Sequence, residues 1–418
     1  MLLSIHIEHT KFKNHTIFRM KILVLNCGSS SIKYKLFEME NREVIAQGGI
    51  EKIGLKDSFL KFTLPSGEKK IIEKEIPEHT AGVQLVLDTL TSKEYGVLGS
   101  LDELDAVGHR VLHGGQAFSE SVLIDSKVEK AIEDNIELGP LHNPANLKGI
   151  NAIKAILPKV PQVAVFDTAF HQTMPEKAFL YALPYEYYEK YAVRRYGFHG
   201  TSHRYVSKRV CDFLGIKQEG TKIITAHIGN GGSLAAVKDG KCVDTTMGMT
   251  PAEGLVMGTR AGEIDPGMLP YVFSKAGLDA ESFNTLVNKK SGLLGISGVS
   301  SDMRDLISAI ESGNKRAKLA LDMFEYRAIK LIGSFVAALN GADILVFTGG
   351  IGENSDPVRK DICDGLSYLG IKIDEKINKT VHGKEQIIST PDSKIQVIVI
   401  PTDEELTIAS DTEEIVSK

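Results

Sequence analysis

The sequence has no tryptophan and only four cysteines among 418 residues: Cys27, Cys211, Cys242 and Cys363. None belongs to a CxxC pair. A disulfide framework and a zinc knuckle are both disfavoured, and a reducing cytoplasm is the compartment expected. No stretch approaches the roughly 18 apolar residues that a membrane-crossing helix needs. A basic surplus is missing too, since 49 Lys and Arg stand against 54 Asp and Glu, a formal net charge of −5. That argues against nucleic acid or an anionic membrane as the main partner, although the local field of a cleft can still receive a small anion. Two phosphate signatures are also absent. There is no GxxxxGK[ST], and the glycines at 349–352 lack the GxGxxG spacing of a dinucleotide fold.

What remains is an ordinary globular composition, 42% hydrophobic and 25% charged. The chain is too long for one core, so two domains are expected. Residues 1–19 read as an extension outside both, because His6, Glu8 and His9 break their apolar run and leave no signal-peptide core. The apolar run 21–25 then predicts a buried strand, ended by the tight turn Asn26-Cys27-Gly28. Ser29 to Ser31 turn the chain, Ile32 to Phe37 alternate as a return strand, and Glu43 to Gly49 make a third. The plan recurs about two hundred residues later. Ile223 to Ile228 form a strand, 229–232 a glycine turn and 233–237 a return. Asp239-Gly240 is a hairpin turn, and Cys242 to Thr246 a third strand. Two copies of one unit predict a duplicated molecule.

Between and after the copies strands alternate with helices, which predicts an α/β protein. Strands are expected from Val107, at 162–166, 344–347 and 397–400. Helices are expected at 126–137, 199–214 and 315–339, with a short one closing the chain. In the 315–339 helix Leu321, Phe324, Ala328, Leu331 and Phe335 fall on one stripe, which reads as core packing without chemistry.

Several segments carry residue types suited to phosphate chemistry. In the N-x-G-S-S-S-x-K run at 26–33, glycine lets the turn close, while backbone N–H groups and hydroxyls offer an anion nest. Asn26 and Ser31 could orient a hydrated magnesium ion, and Lys33 could neutralise phosphate charge; a serine-rich hairpin with a solvated lysine is the bland alternative. Arg110, in GHRVLHGG, and Arg260, in MGTRAG, could each grip a carboxylate or phosphate through a bidentate fork, or simply form a structural salt bridge. His199 and His203 are spaced i and i+4, yet without the glutamate of HExxH a single imidazole donating to a phosphoryl oxygen is the better reading. Asp167 sits at a strand end, as an active-site carboxylate or a helix cap.

Taken together, the ordered motifs VLNCGSSSIK, GHRVLHGG, LGPLHNPAN, FDTAFH, RRYGFHGTSH, HIGNGGS, GTRAGEIDPG, SGLLGISGVSSDMR, FTGGIGEN and IPTDEEL resemble the acetate/propionate kinase family from Met20 to the C-terminus. The resemblance implies a duplicated two-domain fold of the sugar kinase, Hsp70 and actin (ribonuclease H-like) type, with the active site in the cleft between domains. The expected division is 20–169 plus 405–418 as the N-terminal domain and 170–404 as the nucleotide-binding domain. It further implies Asn26, Ser29, Ser31 and Lys33 in the first phosphate hairpin. Arg110 and Arg260 would face the substrate carboxylate and the phosphoryl group, Asp167 would be the essential acid, and His142 and His199 would line the phosphoryl path. Asn26 and Glu404 would serve magnesium, or manganese in its place, with Glu405 as the competing assignment. His227, Gly229, Asn230 and Gly231 would meet nucleotide phosphates. Asp302, Met303 and Arg304 would flank the adenine, and Gly350, Ile351, Gly352 and Asn354 would form its pocket.

The implied reaction is reversible transfer from ATP to acetate, giving ADP and acetyl phosphate, by a homodimer. Leu112, Leu141, Phe198 and Pro251 would form the methyl pocket. Leu112 stands where acetate enzymes of the family often carry valine, and the extra methylene argues for acetate over propionate, with a propionate kinase as the alternative. Two departures are Glu263, where the family commonly has aspartate, and Asp403, where it has asparagine. A non-catalytic ATP switch of the actin or Hsp70 kind would need neither arginine, nor FHGTSH, nor an acyl pocket.

Overall fold

The computed structural model describes residues 20–64, 66–140 and 142–418, so the extension 1–19 and the pocket residue Leu141 lie outside the described residues. The first sheet contains β1 (Lys21–Cys27), β2 (Ile32–Glu38), β3 (Glu43–Glu51), β4 (Phe59–Thr63), β5 (Lys69–Glu73), β6 (Ala106–Val111), β7 (Val122–Leu123) and β8 (Gln162–Phe166). The second contains β9 (Lys222–Ile228), β10 (Gly232–Lys238), β11 (Lys241–Thr245), β12 (Ile344–Thr348), β13 (Gln386–Ile387) and β14 (Gln396–Val399).

The repeat foreseen in the sequence is a repeat of topology. In the first sheet β3-β2-β1-β6-β8 are neighbours; in the second, β11-β10-β9-β12-β14 are. In both, the first three strands are antiparallel and the last two join in parallel. The central strands β1, β8 and β12 are apolar runs because both faces of a parallel sheet are covered. Side-chain alternation divides β1 between two cores. Leu23 and Leu25 pack with Val83 and Val86 of the helix His79–Leu90, while Ile22 and Val24 pack with Ile408 and Ala409 of the last helix.

That last helix, Glu404–Val416, leaves the second sheet after β14 and lies on the first. Its approach is close. A Cβ on Gly108 of β6 would stand 2.5 Å from Oγ1 of Thr412 and 2.6 Å from Cγ2 of Ile408.

Some elements differ from expectation. The hairpin β4–β5 widens the first sheet, and its half-exposed KKIIE alternation is too polar to read as a core strand. The helices His79–Leu90 and Asn143–Ile156 also escaped the reading. The helix beginning at Ser126 ends at Asp134 instead of 137. On the long helix Lys315–Ala338, Ile332 is buried where Leu331 is only partly so.

Candidate active site

The site is assembled from strand ends and the turns that follow them, where both sheets present backbone without side-chain cover. Asn26 lies near the end of β1 and Arg110 near the end of β6, two strands that run parallel. Asp167 directly follows β8 and is fully buried; its N–H donates to the carbonyl of Val111 at 3.0 Å. Arg110 donates to both Asp167 oxygens, from Nε at 3.0 Å and from Nη2 at 2.6 Å. This fork, with Asp167 the largest influence, holds the guanidinium above its ordinary value despite burial. The third donor, Nη1, reaches Asn26 Oδ1 at 3.4 Å. Asn26 and Arg110 line a small cavity with Leu112, His142 and Asn146.

The other wall comes from the second sheet. His199 precedes the helix Gly200–Leu214 with φ +56°, a left-handed conformation rare for a residue with a Cβ. It is held there on both sides. The following N–H, of Gly200, donates to the Asp167 carbonyl at 2.9 Å, and the ring stacks on His227 at 4.3 Å between centroids. A Cβ on Gly231, in the glycine turn between β9 and β10, would lie 3.7 Å from His199 Nε2 and 3.4 Å from Arg260 Nη1. His199 and Arg260 thus converge over that turn. Burial pushes His199 well below its ordinary range, and neighbouring His227, His203, Arg110 and Arg260 act in the same direction. Burial lowers His142 too, with Arg110 adding to the effect.

The two arginines are not equivalent. Arg110 is consumed by Asp167, whereas Arg260 donates to no carboxylate among the described residues; its Nη1 donates to the Met257 sulfur at 3.8 Å. Burial alone pushes its guanidinium below the ordinary value. A sheltered cation without an acid awaits an anion.

Glu404 opens the last helix. Burial pushes its carboxyl up to about 7, offset by Arg110 and reinforced by Asp167, Glu405 and Asp403. Glu405 instead pairs with Lys35 at 3.1 Å, which separates the two adjacent acids. Asp403 caps the helix by accepting the Leu406 N–H at 3.0 Å, and Glu263 pairs with Arg327 at 2.6 Å, so both departures from the family pattern are absorbed locally. Lys33 is exposed opposite Asn26 in the β1–β2 pairing. The turn before it is closed by the Gly28 N–H on the Ser31 carbonyl at 2.8 Å.

On the side expected to take the nucleotide, a Cβ on Gly229 would lie 3.8 Å from the Gly350 nitrogen, so the two glycine turns lie together. Gly350, Ile351, Gly352 and Asn354 form the short helix Gly349–Asn354 directly after β12. Asn230 is exposed on the first of these turns. Asp302 caps the helix Met303–Glu311 and holds Arg304 at 2.6 Å, while Met303 is buried in the core. Among the described residues no hydrogen bond of these three side chains reaches the glycine turns. Leu112 and Phe198 share a buried cluster with Met247 and Met257; Pro251 is not in it. The two methionines escaped the sequence reading, as did Ser233 and Thr225 beside the histidines, because nothing in their spacing marks them.

Two sheets of related topology, with glycine turns and two arginines gathered at their strand ends, define a phosphotransferase of the sugar kinase, Hsp70 and actin fold type. Residues 21–410 match the Acetokinase family, and the chain belongs to it. An acetate kinase of Bacteroides thetaiotaomicron is 65% identical over 96% of this chain and all of that relative. The crystal structure of Porphyromonas gingivalis acetate kinase is 56% identical with a TM-score of 0.92, over 95% of this chain and all of that one. A propionate kinase from Francisella tularensis is 42% identical with a TM-score of 0.88, over the same shares.

Proposed function

We propose that the enzyme transfers the γ-phosphoryl group of ATP to acetate, giving acetyl phosphate and ADP, reversibly and by direct in-line displacement. The observation that carries this reading is Arg260, a sheltered guanidinium without an acid partner beside His199 at the phosphate-binding glycine turn. A carboxylate nucleophile is already ionised near neutral pH, so the site needs no base. Its work is to position two anions and neutralise the charge between them. Arg110, locked by Asp167, presents its Nη1 beside the small cavity and orients the acid. Arg260 and His199 bear on the equatorial oxygens, with His142 beside them. Lys33, His227 and the 229–231 turn receive the nucleotide phosphates. The turn 350–354 takes the adenine, with Asp302, Met303 and Arg304 at its border.

The donor set Asn26, Glu404 and Asp167 is all oxygen and suits a hard cation such as magnesium, or manganese in its place. Burial of Glu404 beside Asp167, with its carboxyl held high, fits a position completed by positive charge. When bound, that ion would screen the phosphate oxygens; Asn26 and Glu404 would hold it. The four cysteines are buried and free, which fits a reducing cytoplasm. A homodimer is proposed from the family alone.

Leu112 packs with Phe198, Met247 and Met257, and we read its extra methylene as narrowing the acyl pocket, so acetate is preferred over propionate. One methylene discriminates by about 1–3 kcal/mol. Hydroxamate trapping of the acyl phosphate, with kcat/KM measured over the C2 to C4 acids, tests this. Acetate should lead and propionate follow. Equal values for acetate and butyrate would overturn the acyl assignment, and no acyl phosphate from any acid would overturn the reaction.

A further inference from the structure

We propose that Thr225, His203 and Ser233 form a one-directional hydrogen-bond chain that fixes His199 as the tautomer with its proton on Nε2, facing the cleft. These three are positioning residues; none touches substrate in the reading above, on which the catalytic consequence rests. Ser233 Oγ lies 2.9 Å from His199 Nδ1 and 2.7 Å from His203 Nε2. A hydroxyl has one proton, so it can donate to only one ring and must accept from the other. The tautomers of the two histidines are therefore coupled. His203 is fully buried, and burial, then His171 and His227, hold it well below its ordinary range, so each ring carries a single proton.

The sense of the chain is set at its far end. His203 Nδ1 lies 2.7 Å from Thr225 Oγ1, whose competing acceptor, the Ala235 carbonyl, is 3.5 Å away at the outer limit of a hydrogen bond. The Thr225 hydroxyl thus donates to His203 Nδ1. His203 Nε2–H donates to Ser233, and Ser233 donates to His199 Nδ1. What is left to His199 is an Nε2–H beside Gly231 and Arg260, a neutral donor aimed where phosphoryl charge develops. The reverse sense would turn a lone pair toward that charge and repel it.

The direct test is 15N NMR of the histidine rings in the full-length free protein. His199 should show a protonated Nε2 and an unprotonated Nδ1. The opposite pattern overturns the proposal, and because no substrate is needed, this arm fails separately from the assigned reaction. Thr225→Val keeps the branched shape and removes the terminal donor. It should shift the His199 nitrogens toward the mixed tautomer and lower kcat about tenfold, part of the roughly 10²-fold cost of losing such a donor outright. KM for acetate and ATP should stay unchanged, and Thr225→Ser should restore both signals. An unaltered His199 spectrum in Thr225→Val refutes the chain; if that variant does not fold, the wild-type spectrum decides.

Discussion

Arg110 and Arg260 bear the same charge yet occupy opposite electrostatic positions, and their removal should separate activity from stability. Arg110→Ala would strand the fully buried Asp167 carboxylate, at a cost of about 3 kcal/mol, alongside the loss of turnover. Arg260→Ala removes a sheltered charge that no acid compensates, so its melting temperature should match or exceed that of the parent. Both should lose on the order of 10³-fold in kcat. Thermal denaturation beside steady-state kinetics checks the pair. An Arg260→Ala variant that melts early but turns over normally would reverse the assignment. The Asp167 fork on Arg110 was not legible in the sequence, because Arg110 lies on β6 and Asp167 just past β8, and they meet only through the parallel pairing of those strands.

At the scale of the element, the helix Lys315–Ala338 holds one residue at odds with its apolar face. Glu325 is 6% exposed, and its Oε1 has no hydrogen-bond partner among the described residues. Burial, reinforced by Asp361 and Asp322 and opposed by Lys318, pushes its carboxyl up to about 8. An acid raised in the folded state binds its proton there more tightly than when unfolded. Its contribution is therefore intact below the unfolded value and is lost as pH rises toward 8. Between pH 5 and 8 this group should lower stability with a slope of at most about 1.4 kcal/mol per pH unit, and Glu325→Gln should flatten that slope. Urea melts at several pH values measure it; parallel slopes in parent and variant would remove Glu325 as the cause. The stripe on this helix was readable from spacing alone, whereas the enclosure of Glu325 depends on what packs against it.

The whole molecule depends on the last helix crossing from the second sheet to the first. That crossing brings Glu404 toward Arg110 and Asp167, and its fit relies on Gly108 having no side chain. Gly108→Ala would press a methyl into Thr412 and Ile408 and push the helix outward. The expected cost is about 1–3 kcal/mol, with kcat reduced through Glu404. A melting curve and a magnesium titration of activity test both halves, since on the role proposed for Glu404 its displacement should raise the magnesium concentration needed. Unchanged stability would mean that the helix has slack.

The sequence by itself determined the duplicated hairpins, the buried central strands and the family. These follow from local patterning: unbroken apolar runs, glycine where backbone must lie bare, and motifs in fixed order. It also named Arg110, Asp167, His199 and Arg260, whose types suit the chemistry. Only the tertiary structure decided how they are partnered. Among the described residues Asp167 consumes one arginine and leaves the other without a carboxylate, Lys35 takes Glu405 and leaves Glu404, and Ser233 ties the state of His199 to that of His203. Partnership is a matter of distance between segments far apart in the chain, and no local pattern encodes it.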